Sequence, residues 1–303
     1  MNKDKMNFVK QQHYIPQFAL KNFQKDDNKI SYTIIKQSPL KVHKSGPMKI
    51  MQEKDFYEIK DDNGNYVLRN TIEDSYSGLE SIIKPNFQEF INLSRRDDFQ
   101  DKFVEIIQNE RWTDIETSLL LYLIITLIRG KGVKNLVYLN PKLKDSEKHI
   151  MYLLFTTSQA YAANFAKKMY FGQELENILL FIRDSSEDPL KVLAEHIMSN
   201  YQIRFHKTLG IKKYFLSDNP VIVKKFEGED YHLPISPEIC IGLIPIMVDG
   251  DKILTETTIY NMSDENVERI NEQLVLNTDK LLIIYNEDDL EFISNIRSRV
   301  DSQ

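Results

Sequence analysis

Histidine, carboxylate and arginine residues set beside turn-forming residues mark where this chain could do chemistry. His13 stands between Gln12 and Tyr14, just ahead of Pro16. An imidazole there could serve as a general base or a metal ligand near neutral pH. It could equally cap the following helix or bond a backbone carbonyl. Asp218-Asn219-Pro220 ends or interrupts an apolar stretch. Asp and Asn fold back on the backbone, and the residue before proline is pushed extended, so the plainest reading is a turn held by its own side chains. In the functional reading Asp218 leaves a strand end as an exposed carboxylate. It could then hold a divalent metal or orient His13, while Asn219 donates to an oxyanion. Arg129 closes the most apolar stretch of the chain. A charge there must be paired or exposed. It either complements the dipole of its own helix end or points into a cleft and binds phosphate or carboxylate bidentately. The candidate site is therefore His13, Asp218 and Asn219 as catalytic groups, with Gln12 and Arg129 contacting substrate. It requires these residues to converge in one concave pocket.

Other candidates are weaker. Glu73 and Asp74 suit a helix first turn, and Glu80 shares a face with Glu73, which makes a metal role conceivable. His43, His149, His196, His206 and His232 show no metal-ligand spacing and read as surface or core. Ser217 lacks a nucleophile-elbow context. No P-loop and no dinucleotide-binding glycine pattern occurs. Cys240, flanked by Ile239 and Ile241, reads as core. Lys212, Lys213, Lys224 and Lys225 flank the Asp218 motif, and Lys131 and Lys134 follow Arg129. A local basic cleft for a nucleotide or nucleic acid is thereby allowed.

The elements that must position these residues fall into three sections. Residues 1–70 are β-rich: Pro16 opens a short helix, 29–36 alternates as a strand, 41–42 and 55–59 are short strands, and Asn63-Gly64 signals a hairpin. Residues 71–200 are helical, beginning at Asn70 or Thr71 and pausing at Pro85. Further helices are expected over 87–93, 100–109, 113–130, 144–170, 173–183 and 188–200. Residues 201–290 return to strands at 201–208, 213–223, 239–246, 253–260 and 280–286, with one helix over 264–277 capped by Ser263. The order predicts an α+β fold in one domain: a mixed or antiparallel sheet built from N- and C-terminal strands, with a large central helical block between.

Composition narrows the function classes. The 303 residues are 42% hydrophobic and 28% charged, enough apolar material for a core. One cysteine excludes an intramolecular disulfide framework and a cysteine zinc cage. A net charge of −6 disfavours bulk phosphate coating. The polar start carries no secretory signal, and "SLLLYLIITLI" (118–128) is too short to span a bilayer. The expectation is a cytoplasmic protein that does not engage a membrane.

Three motifs together carry a family resemblance: Gln12 to Phe23 ("QHYIPQFALKNF"), Phe215 to Val221 ("FLSDNPV"), and Leu233 to Pro237 ("LPISP"). Weaker echoes are "YLIITLIRG" (122–130) and "ERINEQLVLNTDKLLIIY" (268–285) around Asn271. The chain resembles the bacterial domain of unknown function 4238 family from about residue 8 to 286. The resemblance implies a bacterial or phage-encoded cytoplasmic protein, of a kind often found in mobile or defence loci. It carries no settled activity. Two functions remain open: a nuclease-like or nucleotide-hydrolysing effector, and a non-catalytic module that binds a protein partner or senses a ligand.

Overall fold

Strand pairing brings the two ends of the chain together, with the helices between them. The structure, a computed structural model, describes residues 9–60, 63–184, 189–226, 228–248, 251–252 and 257–301. Phe8, the 185–188 link and residues 253–256 of the expected fourth C-terminal strand lie outside the described residues. The N-terminal section holds β1 (Gln11–His13), α1 (Gln17–Leu20), β2 (Ile30–Ile34), β3 (His43–Ser45), β4 (Gln52–Lys54), β5 (Ile59–Lys60) and β6 (Tyr66–Leu68). The helical section runs α2 (Thr71–Ser94), α3 (Phe99–Ile107), α4 (Arg111–Arg129), α5 (Lys131–Tyr138), α6 (Asp145–Thr156), α7 (Gln159–Met169), α8 (Gly172–Asp184) and α9 (Pro189–Asn200). The C-terminal section holds β7 (Tyr201–Thr208), β8 (Leu216–Ser217), β9 (Ile222–Phe226), β10 (Glu229–Pro234), β11 (Ile239–Pro245), β12 (Met247–Val248), β13 (Asp251–Lys252), β14 (Ile259–Met262), α10 (Asp264–Asn277), β15 (Leu281–Ile283) and α11 (Asp289–Asp301).

The fold is α+β. Strands from both ends share one antiparallel sheet, ordered β3-β2-β15-β8, so the helical block interrupts that sheet in sequence. A five-stranded sheet, β14-β7-β11-β10-β9, is wholly C-terminal and mixed, because β14 joins β7 in parallel. One face of it presents Ile203, Phe205, Leu233, Ile241 and Leu243 to α2, α3 and α4. Phe205 stacks there against Phe90, ring centroids 4.5 Å apart. The apolar run of α4 is buried in this core, as its composition implies. Among the described residues no helix is long and apolar enough to cross a membrane.

Several boundaries differ from expectation, each for a local reason. α2 continues through Pro85. Proline costs roughly 3 kcal/mol inside a helix, yet Ile83, Phe87 and Phe90 on either side are fully buried, and their packing outweighs that cost. The expected 144–170 helix is two, because Ser158 takes an extended backbone and accepts a hydrogen bond from the Tyr161 N–H, starting α7. The "GKGVKN" link is mostly helical, as α5. The expected 213–223 strand is divided between the two sheets at Asp218-Asn219-Pro220. α11 falls beyond the last expected element. The Asn63-Gly64 turn does join β5 to β6, with Gly64 at φ 78°.

Candidate functional site

His13 ends β1, whose pairing with β4 fixes its backbone opposite Gln52. Pro16 then turns the chain into α1, and Phe18 anchors that helix against Phe87 of α2 and Tyr122 of α4. Glu73, Ser77, Glu80 and Lys84 recur along one face of α2. Arg129 is the last residue of α4. Together with Gln17, Phe18 and Lys21 these residues line a polar pocket of about 300 Å³. Of the candidates expected to converge, the structure brings two, His13 and Arg129, into one cleft.

Arg129 is only 2% exposed. Its Nε donates to Tyr57 Oη at 2.6 Å, its Nη1 pairs with Glu80, and its Nη2 lies 4.0 Å from Glu73 Oε2. The guanidinium also stands over the Tyr76 ring, 4.8 Å from its centroid. Tyr57 passes the link on by donating to the His13 carbonyl at 3.0 Å. Arg129 is therefore more than a dipole partner: it is a buried cation holding two α2 carboxylates and, through Tyr57, the backbone of His13.

Two titratable groups of this pocket, His13 and Glu73, are shifted in opposite directions. Burial, with help from the Arg129 charge, lowers the His13 pKa, against the Pro47 carbonyl and Glu80, which favour the charged ring. Burial raises Glu73 to about 7; Arg129 works against that, and Glu80 and Asp74 add to it. His13 Nε2 and Glu73 Oε2 are both buried without a hydrogen-bond partner. Gln17 Nε2 lies 3.4 Å from the other ring nitrogen, Nδ1. Near neutrality the pocket thus offers an unprotonated imidazole and a carboxyl group that can still carry its proton. Glu73 and Glu80, which the sequence reading set aside, are the residues it undervalued. Their seven-residue spacing was the available signal.

The remaining candidates lie elsewhere. Gln12 does not face the pocket. It is fully buried, accepts from the Tyr57 N–H at 2.7 Å and donates to Glu58 at 2.6 Å. Asp218 is not an exposed strand-end carboxylate. It is 0% exposed and accepts from three successive backbone N–H groups, of Asp279, Lys280 and Leu281, at 2.9, 2.9 and 3.0 Å. It clasps β8 to the turn that leads into β15. Burial raises its pKa, opposed by those hydrogen bonds and by Lys131. Asn219 sits at the α4–α5 junction, where Cβ atoms at Gly130 and Gly132 would lie 3.5 and 3.7 Å from its Oδ1. The two motifs do approach each other, but through Tyr14: Lys131 stands over its ring, 4.9 Å from the centroid, and 3.7 Å from Asp279.

The third motif is the end of β10 and the turn after it, in which Ser236 Oγ accepts from the N–H groups of Glu238 and Ile239. Asn271 ties α10 to the residues before β8, accepting from Phe215 N–H and donating to the Lys213 carbonyl. Of the six lysines expected to form a basic cleft around the Asp218 motif and after Arg129, three are paired with carboxylates. Lys212 pairs with Glu268 and Lys213 with Glu238, while Lys131 pairs with Glu53. Asp218→Asn should lower stability by about 1–3 kcal/mol, because the amide cannot accept all three N–H groups. A urea midpoint indistinguishable from wild type would show that the clasp carries no energy.

A family model described as protein of unknown function (DUF4238) matches residues 11–289. No curated protein and no solved structure matches the chain.

Proposed function

The chain belongs to the DUF4238 family, and for this member we propose hydrolysis of a phosphoester, in a nucleotide or RNA, by acid–base catalysis in the His13 pocket. The observation that carries this reading is the opposed pair: His13 lowered and Glu73 raised to about 7, lining one cleft. Titratable groups pushed apart in this way suit the roles of base and acid. His13, neutral, takes the proton of the attacking hydroxyl or water. Glu73, protonated, gives its proton to the leaving oxygen. With Glu73 neutral, the lining charges are Lys21, Lys84 and Arg129 against Glu80, so the cleft attracts an anion. Such a protein fits a cytoplasmic effector role, in which induced expression arrests growth.

The test is cleavage of short RNA and nucleoside phosphates by the purified chain. His13→Ala and Glu73→Gln should each lower the rate by about 10²–10⁴-fold. The pH profile should be a bell. Its acid limb lies below the ordinary histidine value of 6.5 and its alkaline limb near 7, because His13 must be unprotonated and Glu73 protonated. Stability separates chemistry from folding. Glu73 binds its proton more tightly folded, at about 7, than unfolded, at about 4.5. Its favourable contribution is complete below the unfolded value and is lost as pH rises through the folded one. Glu73→Gln should therefore be more stable than wild type at pH 8, by something on the order of 2 kcal/mol. Cleavage that survives both substitutions would sink the proposal. Anion binding that His13→Ala weakens, without any turnover, would favour the ligand-sensing alternative.

A further inference from the structure

A second cluster of chemistry-bearing side chains lies on the five-stranded sheet, on the face opposite Phe205 and Leu233. His206 Nε2 lies 2.7 Å and His232 Nε2 2.9 Å from one atom, Glu229 Oε2. The three donor atoms all fall within 4.8 Å of one another. The residues are 3%, 1% and 0% exposed, respectively, for His206, His232 and Glu229. Glu229 and His232 are three apart on β10, a spacing that would put them on opposite faces of a regular strand. The register shift between Glu229 and Tyr231 changes that parity and returns both side chains to one side. Across from His232 the neighbouring strand carries Gly242. A Cβ at that position would overlap Glu229 Oε2 and lie 2.8 Å from His206 Nε2. β11 thus gives up a side chain where the carboxylate sits.

Hydrogen bonding alone leaves this cluster incomplete. His232 Nε2, although close to Oε2, is not aligned to donate to it and has no hydrogen-bond partner. A buried, unpaired ring nitrogen is costly, and it is aimed at a shared carboxylate oxygen. Glu229 Oε1 accepts from Arg204 at 3.0 Å, which orients the carboxylate with Oε2 toward the two rings. His206 Nδ1 lies 3.2 Å from Met262 Sδ, a contact that fixes the ring with Nε2 inward. Two imidazole nitrogens and a carboxylate oxygen are the donor set of three-residue zinc sites, in which the fourth position is left to water or ligand.

We propose that His206, Glu229 and His232 bind a divalent transition-metal ion of the zinc class. Of the three residues, His232 also borders a cavity of about 250 Å³, together with Phe226 and Arg269. The site shares no lining residue with the His13 pocket, so it stands or falls independently of the phosphoester reading.

The test uses the full chain, purified without chelator from zinc-supplemented medium. Elemental analysis should find about one zinc per chain, as three protein ligands hold one ion. His206→Ala and His232→Gln should lose it while retaining the wild-type circular dichroism and elution volume. Where those variants fail to fold, the wild-type chain decides. Cobalt added to the apo-protein should give the d–d absorption of a four-coordinate site, and zinc-edge X-ray absorption should show imidazole and oxygen ligands without sulfur. A chain that purifies without metal, gives no cobalt band and shows no zinc-dependent rise in melting temperature overturns the proposal. Full metal content in folded His206→Ala also overturns it.

Discussion

Arg129→Ala should destabilise the protein by about 3–5 kcal/mol, the cost of removing one partner from a buried ion network. The guanidinium is almost wholly enclosed, and what it leaves behind is unfavourable in three ways. Glu73 and Glu80, both on α2, would face each other without a counter-charge. Tyr57 Oη would lose its donor, and with it the brace on the His13 carbonyl. The cation over the Tyr76 ring would be replaced by a void. The deficit should also depend on pH in a definite direction. Without Arg129 the folded pKa of Glu73, already raised by burial, rises further, so stability is lost as pH climbs through it. Urea unfolding should therefore show a smaller loss at pH 5 than at pH 8. Neutralising the carboxylates as well, in Arg129→Met with Glu73→Gln and Glu80→Gln, should recover much of the loss, since apolar or neutral replacements of a whole buried network are often tolerated. A loss below about 1 kcal/mol, flat with pH, would mean that the network is solvated and weak.

That network shows which parts of the site were legible in the sequence. Arg129 stood out because a charge at the end of an apolar run must find a partner, and His13 because a proline turn follows it closely. Glu73 and Glu80 were visible as a shared helix face, but nothing local said that Arg129, about fifty positions on, would pack against that face. Asp218 was misread for a physical reason. Turn-forming Asp-Asn-Pro announces a chain that folds back, and three convergent N–H groups from 279–281 satisfy the carboxylate inside the protein. Local preference correctly marked a turn; it could not say that the turn would be buried between two sheets.

The same limit applies to the strands. Alternation and β-branching identified 29–36, 201–208 and 239–246 as strands, and the structure has β2, β7 and β11 there. Alternation over 213–223 looked continuous because both β8 and β9 are extended, and only tertiary pairing assigns them to different sheets. His206, Glu229 and His232 escaped notice because the cluster is assembled across a sheet. The two histidines lie on β7 and β10, separated by β11, and a bulge sets the parity of β10. The one local signal was Gly242, a glycine inside an otherwise apolar strand, which commonly marks close approach by another group.

Gly242 is accordingly where a one-carbon change should have an unusual sign and size. Replacing glycine by alanine in a strand or helix with room around it normally stabilises by about 0.5–1 kcal/mol, because the unfolded chain loses freedom. Gly78, inside α2 with nothing within 4 Å of its would-be Cβ, should behave that way. Gly242 should do the opposite. Its Cβ would take the position of Glu229 Oε2, and the carboxylate has little room to yield, because Arg204 holds its other oxygen and Cys240 and Ile241 beside it are wholly buried. The displaced anion would leave both histidines, and a separated buried charge costs about 3–5 kcal/mol. Two measurements check this. Urea unfolding should place Gly242→Ala well below wild type and Gly78→Ala slightly above it. Combining Gly242→Ala with Glu229→Gln should add little to either single loss, since both act through the same carboxylate and neighbouring sites are not additive. Additive losses would mean that the glycine serves the β10–β11 backbone instead, and that Glu229 holds its histidines without needing the space.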